Sequence, residues 1–367
     1  MIRSVKINNS FIYQSMIILF STLLLLRMYI GTHIGIFGLV LTASYALLGI
    51  FLTISFKLKT NSLIFWFIIL MLFLGITTAI FGKNYEFRDI LYLFAYYGIA
   101  LIPVYIKLNY KLFLWFAYSV VLFFLIFVFK GIHPNEVLYS SQNGFSEILL
   151  IVLGYHLISS FQNEKKPSII LIGLGFALTI WAIGRGGIIA VGLILFAYPF
   201  MLKFELNKKY KKYLFFLLIS ASPFMMYSIY PDIFKNVFER FIWFTSRGYS
   251  VIESPRLLMN LEYLKAACSS LYYFLFGVPL EKIPTIVKYD LNTHNSLINA
   301  HVYYGFWGFL LLVILIGYAG YYFVMTKNYI YLTLLVALFI RAFVDSNAFH
   351  GAFDTIFYYL MFYVLKD

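Results

Sequence analysis

Residues 168–202 read SIILIGLGFALTIWAIGRGGIIAVGLILFAYPFML. Two apolar runs, Ser168–Ile183 and Ile188–Leu202, are separated only by Gly184-Arg185-Gly186-Gly187. Each run comes close to the roughly 20 residues that an α-helix needs to cross a bilayer. Hydrocarbon offers the backbone no hydrogen-bond partners, so such segments fold as helices that satisfy their own N–H and C=O groups. The stretch therefore predicts two membrane helices joined by a short break, with an arginine in the break.

The same reading extends along the chain. It predicts further spans at Phe11–Ile30, Ile34–Phe56, Ser62–Phe81, Ile90–Ile106, Leu112–Phe129 and Phe145–Phe161. Beyond the opening pair it gives Tyr213–Tyr230, Asn295–Met325, Tyr329–Val344 and Ala348–Leu365. The fold class is all-α: a polytopic integral membrane protein with about 12 transmembrane helices, forming one membrane domain over residues 1–367. Asn295–Met325 is long enough to bend, and Gly305 and Gly308 mark the place. The composition agrees. The chain is 62% hydrophobic and 12% charged, with mean hydropathy +0.87, whereas a soluble domain is about a quarter charged. Phe11–Ile30 is too long for the apolar region of a signal peptide, and no small-residue cleavage site follows it, so it is read as the first span.

Orientation follows from the basic residues, which concentrate in cytoplasmic loops. Lys57, Lys59, Lys107, Lys111, Lys165, Lys166, Lys203, Lys208, Lys209, Lys211, Lys212 and Lys327 all fall on one side. The short loops of the other side carry only Lys83, Arg88, Lys130 and Arg185. Both chain ends are thus expected inside, on the cytoplasmic side of the membrane. The same asymmetry accounts for most of the net charge of +13, so no nucleic-acid partner is implied. The lone Cys268 cannot form an intramolecular disulfide.

Residues 231–293 break the pattern of short loops. They lie on the outer side, between the ninth and tenth spans, and loops of this length are commonly functional. Within them, Ser254-Pro255-Arg256 reads as a helix start, with serine as cap and proline at the first helical position. Leu257, Leu258, Leu261 and Leu264 then form an apolar face, expected to lie against the outer membrane surface.

The candidate site residues collect on that outer side. Arg185 sits among glycines at the start of a helix, where free N–H groups and a guanidinium suit a phosphate. A guanidinium snorkelling to the headgroups fits the same sequence. Arg256 is a cation in a first helical turn, opposing the helix dipole unless an anion lies near; a solvated loop arginine is the simpler role. Arg247 is a weaker candidate of the same kind. His294, in Thr293-His294-Asn295-Ser296, has the side chain best matched to proton transfer near neutral pH, although an interfacial histidine bonded to backbone would look identical. Asn295, His301, Arg341 and Asp345 are secondary candidates for substrate contact. For His301 an interhelical hydrogen bond is the ordinary alternative, and for Arg341 and Asp345, spaced i, i+4, an ion pair. No His-Glu-x-x-His, cysteine pair, phosphate-binding loop or dinucleotide fingerprint is present, so neither a metal nor a cofactor is called for.

In this order, these motifs resemble the bacterial O-antigen ligase/polymerase family of membrane glycosyltransferases. The resemblance rests on the outer break with Arg185, the long outer loop with Arg256 and Gly277, His294-Asn295-Ser296-Leu297, and Gly305-Phe306-Trp307-Gly308. It covers roughly Phe145 to Met325. One departure is Gly184, where the family often has serine, so no role for a serine carries over there. The resemblance implies a GT-C-like, metal-independent, inverting enzyme that uses undecaprenyl-diphosphate-linked oligosaccharide at the periplasmic face. It also implies His294 as general base, with Arg185 and Arg256 on the diphosphate. Partners would be the lipid-linked donor, membrane lipids, a chain-length regulator and a flippase. Arg341-Ala342-Phe343-Val344-Asp345, Phe353-Asp354 and Asn295-Ser296 look more like a polymerase than a ligase that transfers polymer to lipid A–core. A lipid-linked sugar flippase is the rival from another class; the lack of an internal repeat and the outer placement of the unusual residues weigh against it.

Overall fold

The computed structural model describes residues 8–30, 47, 62–82, 87–132, 134–138, 143–182, 184–201, 255–289, 291–346, 348–349, 351 and 353–366. Among these the regular structure is helical, with no strand. The first half contains α1 (Asn8–Ile30), α2 (Leu63–Gly82), α3 (Phe87–Tyr105), α4 (Tyr110–Phe129), α5 (Asn143–Gln162), α6 (Ile169–Trp181) and α7 (Arg185–Met201). After residue 254 come α8 (Pro255–Ala267), α9 (Leu271–Phe276), α10 (Ser296–Met325), α11 (Tyr329–Phe343) and α12 (Asp354–Leu365). The expected spans Ile34–Phe56 and Tyr213–Tyr230 lie outside the described residues, Leu47 excepted, as does Arg247.

Four of the described helices are long and apolar enough to cross a membrane, and six shorter apolar ones accompany them. The chain is a multi-pass helical membrane protein. Its outer surface carries large apolar side chains that water would not tolerate in such density, among them Trp66, Phe73, Trp115, Phe129 and Trp307. The interior helix is α5. Of its spanning window 94% is buried, against 33%, 28% and 22% for α2, α4 and α10. It packs against α1, α4, α6, α7, α11 and α12, while α11 lies along α7, α12 along α3, and α10 along α2.

Among the helix starts that differ from the sequence reading, two have a clear local cause. α7 begins at Arg185 rather than Ile188, because the Gly184 carbonyl already accepts the Ile188 N–H at 2.9 Å. Arg185, Gly186 and Gly187 therefore form its first turn. α12 begins at Asp354 rather than Ala348. The Asp354 carboxylate accepts the N–H groups of Phe349 (2.6 Å) and Gly351 (3.1 Å), which ties the preceding residues into a turn. Phe349 adopts φ 55° within it.

α10 is bent at Gly305, whose φ of 64° and ψ of −172° interrupt the helix. The segment before the bend serves two cores. Ile298 and Val302 join Met259, Tyr263 and Ala267 of α8 in a small core separate from the main one, together with Val278, Ile283 and Ile286. Ala300 and Tyr304, also before the bend, belong to the main core, as do Leu312, Ala319 and Phe323 after it. On α8 the buried face is Met259, Tyr263 and Ala267, while Leu258, Leu261 and Leu264 stay exposed. The leucine stripe read from the sequence is thus the outward face of a helix that is anchored by its other side.

A methyl group on Gly305 would stand 2.2 Å from the Leu275 carbonyl oxygen, on a backbone conformation that L-residues avoid. Gly305→Ala should therefore cost about 1–3 kcal/mol, read as a lower thermal midpoint in detergent. Gly317→Ala, where nothing lies within 4 Å, should leave that midpoint unchanged.

Candidate functional site

The end of the bundle where α5, α7 and α10 begin and α11 finishes brings most of the candidate residues together. Arg341, in the last turn of α11, is only 1% exposed. Its Nη2 donates to Asp345 Oδ2 at 3.0 Å, and its Nε–H to Ser146 Oγ on α5 at 3.2 Å. The first turn of α7 closes over this pair. A methyl group on Gly186 would meet Val344 Cγ2 at 2.7 Å and Arg341 Cδ at 3.3 Å, and one on Gly187 would meet Ser146 Cβ at 2.1 Å. Two of the three glycines flanking Arg185 therefore exist so that α7 can approach α11 and α5. Arg185 itself is the first residue of α7, next to Gly186.

Asp345 joins this buried arginine to the histidine. Its Oδ1 accepts the Ser346 N–H at 2.9 Å and lies 3.5 Å from His294 Nδ1. The latter distance is an electrostatic contact, too long for a well-formed hydrogen bond. Burial pushes the Asp345 carboxyl up, but the adjoining His294, the Arg341 guanidinium and the Ser346 N–H pull it down to about 2. Asp345 is thus a fixed anion, held between a permanent cation and an imidazole. His294 is partly exposed, with Nδ1 the ring nitrogen that approaches the carboxylate.

The histidine is held in place by its backbone. It adopts φ 48°, in the left-handed region, and its N–H donates to Asn292 Oδ1 at 2.9 Å. Ser346 Oγ donates to the same Asn292 oxygen at 2.7 Å. Ser296 Oγ donates to the Asp345 carbonyl at 2.7 Å and accepts the Ala348 N–H at 3.0 Å. Thr293 Oγ1 donates to Asn299 Oδ1 at 2.7 Å. The segments around His294 and Asp345 are therefore stitched together by serine, threonine and asparagine side chains.

Arg256, in the first turn of α8, is exposed and donates from Nη1 to the Val344 carbonyl at 2.6 Å. Val344 ends α11, so the cation meets the negative end of one helix while opposing the dipole of its own. Two secondary candidates are occupied elsewhere. Asn295 caps α10, its Oδ1 accepting the Leu297 N–H at 2.9 Å. His301 bonds through Nδ1 to the Tyr263 hydroxyl at 2.7 Å and through Nε2 to the Phe274 carbonyl at 2.8 Å, pinning α8 and α9 to α10. Arg247 lies outside the described residues. Ser146, Asn292, Asn299 and Ser346 were not singled out from the sequence. The only available signal was adjacency, Ser146 standing beside Glu147 and Ser346 beside Asp345.

Breaking a buried ion pair from one side leaves an unmet charge, at about 3–5 kcal/mol. Asp345→Ala should therefore lower the thermal midpoint strongly, and Arg341→Met combined with Asp345→Leu should lower it less. The Asp345 contribution also has a defined pH window. Its folded pKa lies below the unfolded value of about 3.9, so its stabilisation is complete above that pH and is lost as pH falls towards about 2. In the Asp345→Ala variant the acid limb of the pH–stability curve should flatten.

Comparison of the chain with protein-family models, with curated proteins and with solved structures finds no match.

Proposed function

We propose that this protein is an O-antigen polymerase, which joins undecaprenyl-diphosphate-linked oligosaccharide repeat units into polysaccharide at the periplasmic face of the bacterial cytoplasmic membrane. In this reading the chain crosses the membrane about twelve times in a GT-C-like arrangement with both ends cytoplasmic. The observation that carries it is the meeting of the α7 start at Arg185, Arg256, and the His294–Asp345–Arg341 series at one end of the bundle.

The chemistry is glycosyl transfer with inversion. His294 Nε2 takes the proton from an acceptor sugar hydroxyl while that oxygen attacks the anomeric carbon of the donor. The bond from that carbon to the diphosphate oxygen breaks, and its electron pair leaves with undecaprenyl diphosphate. Asp345, kept ionised by Arg341, orients the imidazole through Nδ1 and stabilises the imidazolium that forms. Arg185, at a helix N-terminus, and Arg256 offset the negative charge gathering on the leaving group. The apolar flanks of the bundle admit the polyprenyl chain laterally. A chain-length regulator and a flippase are the expected partners.

In a lipopolysaccharide gel from a strain lacking this gene, core carrying a single repeat unit is the expected pattern. Bare core, with long polymer still on the carrier lipid, would instead assign the ligase reaction. Arg185→Ala should cost far more activity than Arg185→Lys; equal and mild losses would mean that the guanidinium only snorkels. His294→Ala should still bind lipid-linked donor but leave it unreacted, whereas wild-type turnover would remove the histidine from the mechanism. Activity should persist in EDTA.

A further inference from the structure

At the opposite end of the bundle the loop from α5 to α6 and the loop from α10 to α11 enclose a cavity of about 280 Å³. Lys165, Lys166 and Lys327 line it, against the single carboxylate of Glu164, together with Asn328 and Tyr329. Both loops are built alike. The Lys165 N–H reaches back to the Ser160 carbonyl at 2.9 Å, and the Asn328 N–H to the Phe323 carbonyl at 2.8 Å. Each is the helix-ending turn that requires one left-handed residue and normally takes glycine. Here those residues are Glu164 at φ 54° and Lys327 at φ 55°. At two adjoining turns the chain thus carries a charged side chain on the cavity rim where glycine would be less strained.

The basic loop is also held rather than merely solvated. The Tyr110 hydroxyl donates to the Lys166 carbonyl at 3.1 Å, and the Tyr198 hydroxyl to the Pro167 carbonyl at 3.0 Å. The Tyr118 hydroxyl lies 2.9 Å from Ser168 Oγ, and the Ser168 N–H donates to His156 Nε2 at 3.0 Å. Helices α4, α5 and α7 therefore fix the backbone that presents the lysines, and fixed donors bind with less ordering cost.

We propose that this cavity binds a phosphate-bearing anion, and that the phosphate is the headgroup of an anionic glycerophospholipid. The volume is below the roughly 300–1,000 Å³ of sites for larger organic ligands, but it suits one phosphate group. Its rim lies where apolar helices end, beside the exposed Tyr329 and Met325, and the end of a membrane helix is where headgroups are met. Basic pockets between membrane helices recognise such headgroups by charge. This site is independent of the glycosyl-transfer reading.

The test compares lipid retention by the full-length protein in detergent, read by native mass spectrometry after exposure to equal amounts of phosphatidylglycerol and phosphatidylcholine. Wild type should keep phosphatidylglycerol preferentially. The triple variant Lys165→Gln, Lys166→Gln, Lys327→Gln should lose about tenfold or more of that retention. The double variant Lys107→Gln, Lys111→Gln removes charge from the same end but not from the cavity, and should keep it. Displacement of the lipid by excess inorganic phosphate would support the phosphate site while assigning it to soluble as well as lipid-borne anions. Equal retention by the triple and double variants, or no preference of wild type for phosphatidylglycerol, would overturn the proposal.

Discussion

A guanidinium taken out of water is tolerated only where its charge is met, and Arg341 is met by Asp345, four residues on at the end of the same helix. The consequences of that pairing spread through the site end. Ser146 supplies a further acceptor and draws in α5. Gly186 and Gly187 give up side chains so that α7 can lie against the pair. The Asp345 carbonyl receives Ser296, which sets where α10 begins, and the neighbouring Val344 carbonyl receives Arg256. A buried pair is a poor source of net stability. What it supplies here is registration of α5, α7, α8, α10 and α11 about one point, with a carboxylate whose ionisation is fixed.

That point lies in a molecule whose solvent is largely lipid. The main core is organised about α5, which is almost wholly enclosed, whereas α2, α4 and α10 keep most of their surface outward. A charge buried in such packing has to be met by protein groups. The electrostatics of the Asp345 site are correspondingly strong, and the backbone at both ends is satisfied by local side chains. Gln162, for example, accepts the Leu108 N–H and donates to the Pro103 carbonyl, and Asn163 donates to the Leu108 carbonyl.

How much of this was legible depended on the kind of signal. Long apolar runs located the described membrane helices to within a few residues, because bilayer thickness imposes a length that composition reveals. The shifted starts of α7 and α12 trace to side chains. The glycines after Arg185 read as a break but serve as contact points inside a helix, and the Asp354 carboxylate holds a turn where an apolar pattern read as helix. Of the candidate site, the charged members Arg185, Arg256, His294, Arg341 and Asp345 stood out by type and position. That Arg256, His294, Arg341 and Asp345 come together at one end did not, since it depends on which helices are neighbours. Ser146, Asn292 and Ser346 carry no pattern beyond the standing of the two serines next to acidic residues; only the fold shows that their hydroxyl and amide groups hold the segments together. The leucine stripe of α8 was visible, but which face of that helix is anchored was decided by Tyr263 and its bond to His301.

The bend at Gly305 has a mechanical consequence. Before it, α10 faces two ways: Ile298 and Val302 pack with α8 and the turns between residues 278 and 287, while Ala300 and Tyr304 pack into the membrane bundle. After it, Leu312, Ala319 and Phe323 belong to the bundle alone. The first turns of α10 are therefore a wall shared by both cores, tied to the end of α11 by the Ser296 hydroxyl. A segment clamped from two sides cannot shift towards one core without loosening its grip on the other. His294, directly before that segment, keeps its place opposite Asp345 as long as both cores stay packed.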